Sequence, residues 1–127
     1  MKIKSRKLPG EIWQEVYGIY AISNMGRWYS SVTQKIIRQH KNTSGYYRVC
    51  IYINGNRKWV FTHINVVKTF GDCRNRTIPD EMESLFENGL SIDHIDGIKK
   101  HNGVANLELV THSENCIRRS RKYAKYN

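Results

Sequence analysis

The sequence predicts an α+β fold: a small N-terminal antiparallel β-sheet region followed by a strand–loop–strand–helix unit. Three observations carry this. Aromatic and β-branched residues fill Tyr46–Ile53 and run into Asn54-Gly55, a dipeptide that supplies the positive φ both centres of a type I′ turn need. Residues 63–70 (HINVVKTF) place apolar side chains at helical spacing. Thr111 is followed three residues later by Glu114, a capping box that opens a last helix.

Taken in order, residues 1–10 are a basic arm ending in Pro-Gly, expected to be mobile or ordered only on a phosphate backbone. Residues 11–61 form the β-rich region. Its strand candidates are Ile19–Ser23, Arg27–Val32 beyond the Asn24-Met25-Gly26 turn, Lys35–Gln39, Tyr46–Ile53 and Arg57–Thr62. In the Tyr46–Ile53 strand, Tyr47, Val49, Ile51 and Ile53 share the inward face, and Tyr46, Arg48, Cys50 and Tyr52 share the other. That outer face, joined by Arg57, Lys58, Arg27 and Arg38, makes a basic and aromatic ribbon of the kind that fits a DNA major groove. Residues 62–122 hold the helix, a polar connection (71–90) with a helical turn within 81–88, and the strand–loop–strand–helix unit; residues 123–127 are a tail.

Composition limits the partners. Among 127 residues, 39% are hydrophobic, enough for one modest core, and Lys+Arg number 21 against 11 Asp+Glu. A net charge of +10 favours a polyanion, either nucleic acid or an acidic membrane surface. No apolar run is long enough to span a bilayer and the start lacks a secretory core, so a cytoplasmic location is expected. Residues 1–71 carry +10, residues 72–96 carry −5, and residues 97–127 carry +5. An acidic belt containing Asp93 and Asp96 thus lies between two basic segments, whereas Asp80, Glu81, Glu83 and Glu87 read as a solvated loop. Cys50, Cys73 and Cys116 are odd in number and widely spaced, so they read as free thiols rather than a zinc site.

The chemistry gathers in Ser91–Asn115 (SIDHIDGIKKHNGVANLELVTHSEN). A strand end offers Asp93 and His94, the loop exit offers Asn106, and the first turn of the capped helix offers Asn115. A neutral imidazole suits a base for water. A carboxylate and an amide oxygen suit one hard divalent cation. Asn106 can hold His94 or its loop in place. Lys99 and Lys100 in the loop, and Arg118 and Arg119 on the helix, extend the basic surface. Neighbours on a strand face opposite ways, so Asp93 and His94 can share a phosphate only where the strand ends, bulges or twists; distorted geometry is expected at His94. His63 reads as a structural contact, and His101 and His112 as bystanders.

The combination D-H-I-D-G, N-L-E-L-V-T and E-N resembles the HNH nucleases, specifically the phage and intron homing endonucleases. The stretch E-I-W with Y-A-I-S-N-M-G-R-W-Y-S-S resembles the β-rich module that often precedes the nuclease in them. The resemblance implies a ββα-metal fold and divalent-metal-dependent cutting of double-stranded DNA. It makes His94 the general base, Asp93 and Asn115 the metal ligands, and Asn106 the middle asparagine. Asn115 stands where many members have a second histidine, which favours Mg or Mn. Many such enzymes carry a C-terminal DNA-reading module; with only RRSRKYAKYN here, the expectation is either no long-site specificity or site reading by the N-terminal sheet, alone or in a dimer. One site per chain implies nicking by a monomer or double cutting by a homodimer. The rival reading is a DNA-binding regulatory or packaging protein built on the same fold without catalysis.

Overall fold

In the computed structural model, residues 1–79 and 82–124 are described, and the side chains of 119 and 121–124 are not. Arg119's side chain, Asp80, Glu81 and the last three residues of the tail therefore lie outside the described residues. Strands β1 (Trp13–Val16), β2 (Tyr20–Ser23), β3 (Trp28–Ser30) and β4 (Lys35–Ile36) form an antiparallel sheet in that order. β5 (His40–Lys41), β6 (Tyr47–Ile53) and β7 (Asn56–Phe61) form a second. Helix α1 (Thr62–Phe70) follows, then an irregular connection with a short 3-10 turn at Phe86–Asn88. The hairpin β8 (Leu90–His94) and β9 (Leu107–Thr111) leads into α2 (His112–Ala124).

The β6–β7 hairpin turns as the sequence requires, with Asn54 at φ 51° and Gly55 at φ 79°. Val49 and Ile51 are buried to 1% exposure or less and meet Val66 and Val67 of α1, Trp28 of β3, and Ile92 and Leu107 of the last hairpin in one cluster. Full burial of each aliphatic side chain contributes about 1.5–3 kcal/mol. Polar links fix the layers. The Trp28 indole donates to Thr62 Oγ1 (2.9 Å) and the Thr62 hydroxyl donates to Gln39 Oε1 (2.6 Å), tying the first sheet to the start of α1.

Three expectations change. β1 and β5 lie outside the predicted strands, because WQEV and HK lack apolar alternation and become strands only by pairing with Tyr20–Ser23 and Tyr47–Arg48. The predicted strand Lys35–Gln39 shrinks to Lys35–Ile36. The basic arm is held by the protein itself: Lys4 N–H donates to the Tyr29 hydroxyl, Leu8 N–H to Glu11, and Arg27 to the Arg6 carbonyl.

Candidate active site

β8 and β9 pair regularly up to Asp93↔Glu108 and His94↔Leu107. The ladder then closes with Ile95 N–H to Asn106 O and a turn from Gly97 N–H to His94 O. The strand therefore pairs regularly to His94 and ends there, the first of the three conditions (end, bulge or twist) under which Asp93 and His94 can share a phosphate. Regular pleating sends Asp93 and His94 to opposite faces. Asp93 meets α2, and His94 turns toward α1 and the loop between the strands.

His94 is 5% exposed and shares a 2.6 Å hydrogen bond between Nε2 and Asn102 Oδ1. An amide oxygen only accepts, so Nε2 carries the proton and Nδ1 is the basic nitrogen. Burial pushes the imidazole below its ordinary pKa; the Asn102 hydrogen bond and the charges of Asp93 and Asp96 pull part of the way back. Asn102 is itself buried, at 4% exposure. It is set by the β2–β3 turn: Val104 N–H donates to Asn24 O (3.0 Å), and Gly26 packs directly on Asn102.

Asn106 does the other task assigned to it, holding the loop. It accepts from Asp96 N–H (3.1 Å) and donates to Asp96 Oδ1 (3.0 Å) and His101 O (2.8 Å). Between the two asparagines, Asn102 is the one bonded to the histidine ring, and the sequence reading missed it. His101 Nδ1 lies 2.6 Å from Asp96, whose carboxyl is drawn down to about 2 chiefly by that contact. His112 binds the Leu90 carbonyl (2.9 Å).

Asp93 Oδ2 accepts from Arg118 Nη1 (3.0 Å), and Arg118 Nη2 donates to Glu108 Oε1 (2.5 Å). Glu108 stands across the ladder from Asp93, so the guanidinium separates two carboxylates that would otherwise repel. Arg118, read from sequence as a DNA contact, is thus committed to these two groups. Asn115 lies three residues before Arg118, on the same helix face. It lines a cavity of about 600 Å³ together with Tyr46, His63, Phe86 and His112. The capping box forms in part: Glu114 N–H donates to Thr111 Oγ1 (3.2 Å). Asp93 and Asn115 are oxygen donors of the kind a hard divalent ion takes, and Asn115 but not Asp93 lines the cavity. Among the described residues no cluster of three or more His, Cys, Asp and Glu could hold a metal, so such a site depends on the amide.

His63 is packed among rings at the start of α1, in line with a structural contact, but its neighbours were not read from the sequence. Its ring stands 5.5 Å from that of His94 and stacks on Tyr46 at 4.9 Å. Lys99 Nζ sits 4.5 Å from the Tyr46 ring centre and donates to the Ser44 carbonyl. His63 is 8% exposed, its Nδ1 has no partner, and burial, then the neighbouring His94, lower its pKa to about 3. Its position in the first turn of an apolar helix carried no signal of this meeting.

The outer face of the second sheet continues from Tyr46. Arg48 faces Phe61 and His40, Cys50 faces Trp59, and Tyr52 faces Arg57. Arg48 stacks over Trp59 at 4.3 Å, and Tyr52 and Trp59 are 56% and 47% exposed. Lys58 pairs with Ile51 and so belongs to the opposite face. Arg38 and Lys100 are exposed. Arg27 is occupied: Nε donates to Glu11 Oε2 (2.8 Å) and Nη2 to Glu11 Oε1, with Glu11 fully buried. Cys50, Cys73 and Cys116 are free, as expected.

Comparison with known proteins agrees with this geometry. The sequence model of the HNH endonuclease family matches residues 86–116. The chain is 30% identical over 106 residues to DNA endonuclease I-HmuI of Bacillus phage SP01, covering 81% of this chain and 54% of that protein. A solved structure described as DNA binding and cleavage by the HNH homing endonuclease I-HmuI superposes with a TM-score of 0.66 at 28% identity, over 87% of this chain and 59% of that one. The chain thus spans little more than half the length of this relative. In its last hairpin and helix and in the β-rich region before them, the chain is similar to this HNH homing endonuclease.

Proposed function

We propose that this protein is a divalent-metal-dependent endonuclease that hydrolyses phosphodiester bonds in double-stranded DNA. The observation that carries the reading is the placement of His94: buried, disfavoured in its charged form by that burial, oriented by Asn102, and seated at a strand end next to Asp93. His94 Nδ1 takes a proton from the attacking water. Asn102 holds the Nε2–H tautomer, and Asn106 keeps the loop closed under it. Asp93 and Asn115 would hold one divalent ion, Mg or Mn, which would neutralise phosphoryl charge and ease departure of the leaving oxygen. The basic and aromatic sheet face from Tyr52 and Arg57 through Arg48 to Tyr46 leads toward His94 and supports it as the DNA-contacting surface. Lys99 and Lys100 add charge beside the site. The relative's name as a DNA endonuclease supports the same substrate.

Supercoiled plasmid incubated with Mg²⁺ or Mn²⁺ tests this. Nicking should need the metal, and His94→Ala should slow it about 10²–10⁴-fold, the usual contribution of a general base. No cutting with either metal, or undiminished cutting by His94→Ala, would remove the proposal. A second reading has one observation in its favour, the Arg118 guanidinium on Asp93: DNA binding without cleavage, in which the ion pair closes the metal site. Salt-dependent DNA binding with no nicking would establish that reading instead.

A further inference from the structure

We propose that His63 is a second histidine of the cleavage site, meeting the scissile phosphodiester through Nε2 as a hydrogen-bond donor; this rests on the endonuclease reading above. Its place is the first argument. His63 lies in the first turn of α1, on a different layer from the hairpin, yet its ring lies 5.5 Å from that of His94 and lines the cavity that Asn115 also lines. A group in that position stands beside the candidate base and at the wall of that cavity.

The second argument is that a purely structural role leaves the ring nitrogens unexplained. Stacking on Tyr46 (4.9 Å, planes 18° apart) and edge contact with Phe61 need only an aromatic ring. A phenylalanine would supply both without burying a polar atom. Buried side-chain nitrogens nearly always find a partner, and His63 Nδ1 has none. An orphaned buried N–H is rarer than a bare acceptor, so the proton belongs on Nε2. With Nδ1 shut away from solvent, Nε2 is the nitrogen able to meet a ligand in the cavity.

Charge fits the task. When His94 accepts a proton from water, a cationic neighbour would oppose it. His63 stays neutral, because burial and the adjacent imidazole both disfavour its charged form. It can then stabilise phosphoryl oxygens without repelling a divalent ion. Tyr46, stacked on the ring, fixes its plane.

The test compares His63→Phe, which keeps the ring and the stack, with His63→Gln, whose amide can reproduce an Nε2–H donor. Single-turnover cleavage, DNA binding and melting temperature are measured for each. His63→Phe should lower the cleavage rate about 100-fold, the typical effect of removing one transition-state donor. DNA affinity should be unchanged and the melting temperature unchanged or higher, and His63→Gln should recover part of the rate. Cleavage by His63→Phe within twofold of wild type would overturn the inference. So would a loss in both variants that tracks a lower melting temperature, since that marks a packing role. A wild type that cuts nothing removes the endonuclease reading, and this inference with it.

Discussion

Replacing Gly26 by alanine should damage a site that lies in another part of the sequence. Gly26 sits in the β2–β3 turn at φ +80°, and a Cβ placed there would lie 2.9 Å from Asn102 Cβ and 3.0 Å from Asn102 O. The left-handed backbone costs a non-glycine residue about 1–2 kcal/mol. Forcing a methyl against a packed neighbour costs about 1–3 kcal/mol more. Together these remove about 2–5 kcal/mol from a domain whose total stability is about 5–15 kcal/mol. At this size that corresponds to a melting temperature lower by about 10 °C or more. The strain has a chemical consequence, because the neighbour that must move is the one whose Oδ1 sets the His94 tautomer at 2.6 Å. Cleavage should fall at least tenfold at temperatures where the variant is still folded. Gly26→Asn separates the two causes, since asparagine tolerates positive φ but brings the same Cβ. It should be nearly as impaired as the alanine variant. In combination with Asn102→Ala, the activity losses should be less than additive, because both act on one contact. Differential scanning fluorimetry and plasmid nicking read these effects. A Gly26→Asn protein with wild-type melting temperature and rate would refute the reasoning.

Three further outcomes follow from the charges. Arg57→Ala should weaken DNA binding and lower the slope of log K against log salt by about 1. Arg27→Ala should leave that slope alone and instead destabilise the fold by about 3 kcal/mol, because it strands buried Glu11; equal slopes for both variants would remove the sheet face as the contact surface. His63 and His94 both resist protonation in the fold, while an unfolded imidazole titrates near about 6.5. Their stabilising contribution is therefore complete above about pH 6.5 and lost as pH falls below it. Glu11, Asp72 and Glu108, with lowered values, add their loss only at lower pH, below about 4. Melting temperature should thus begin to fall between about pH 6.5 and 5, and His63→Phe should flatten that limb; a limb of unchanged slope would contradict it. Arg118→Gln should tighten Mn²⁺ binding about tenfold by calorimetry, since it removes a cation held against Asp93 Oδ2. Weaker binding would make Arg118 a support for Asp93 rather than its competitor.

The sequence by itself determined whatever depends on near neighbours in the chain. Asn54-Gly55 specified a turn through the φ values those residues accept. The alternation in Tyr46–Ile53 specified which side of the strand is buried. Thr111 and Glu114 specified where α2 begins. The spacing of Asp93, His94 and Asn115 pointed to the strand end and helix start that carry them. Only the tertiary structure decided what depends on distance across the fold. WQEV and HK are strands because neighbouring strands offer them hydrogen bonds, which no local pattern reveals. Asn102 and Asn106 are four residues apart in one polar loop. Which of them reaches the His94 ring depends on the β2–β3 turn that pins Asn102, nearly eighty residues upstream in the chain. Arg27 and Arg118 look like any surface arginine until Glu11, Asp93 and Glu108 are brought against them. His63 shows the limit most plainly: a histidine opening an apolar helix carries no mark of its partner, and packing of α1 against the last hairpin alone sets it beside His94.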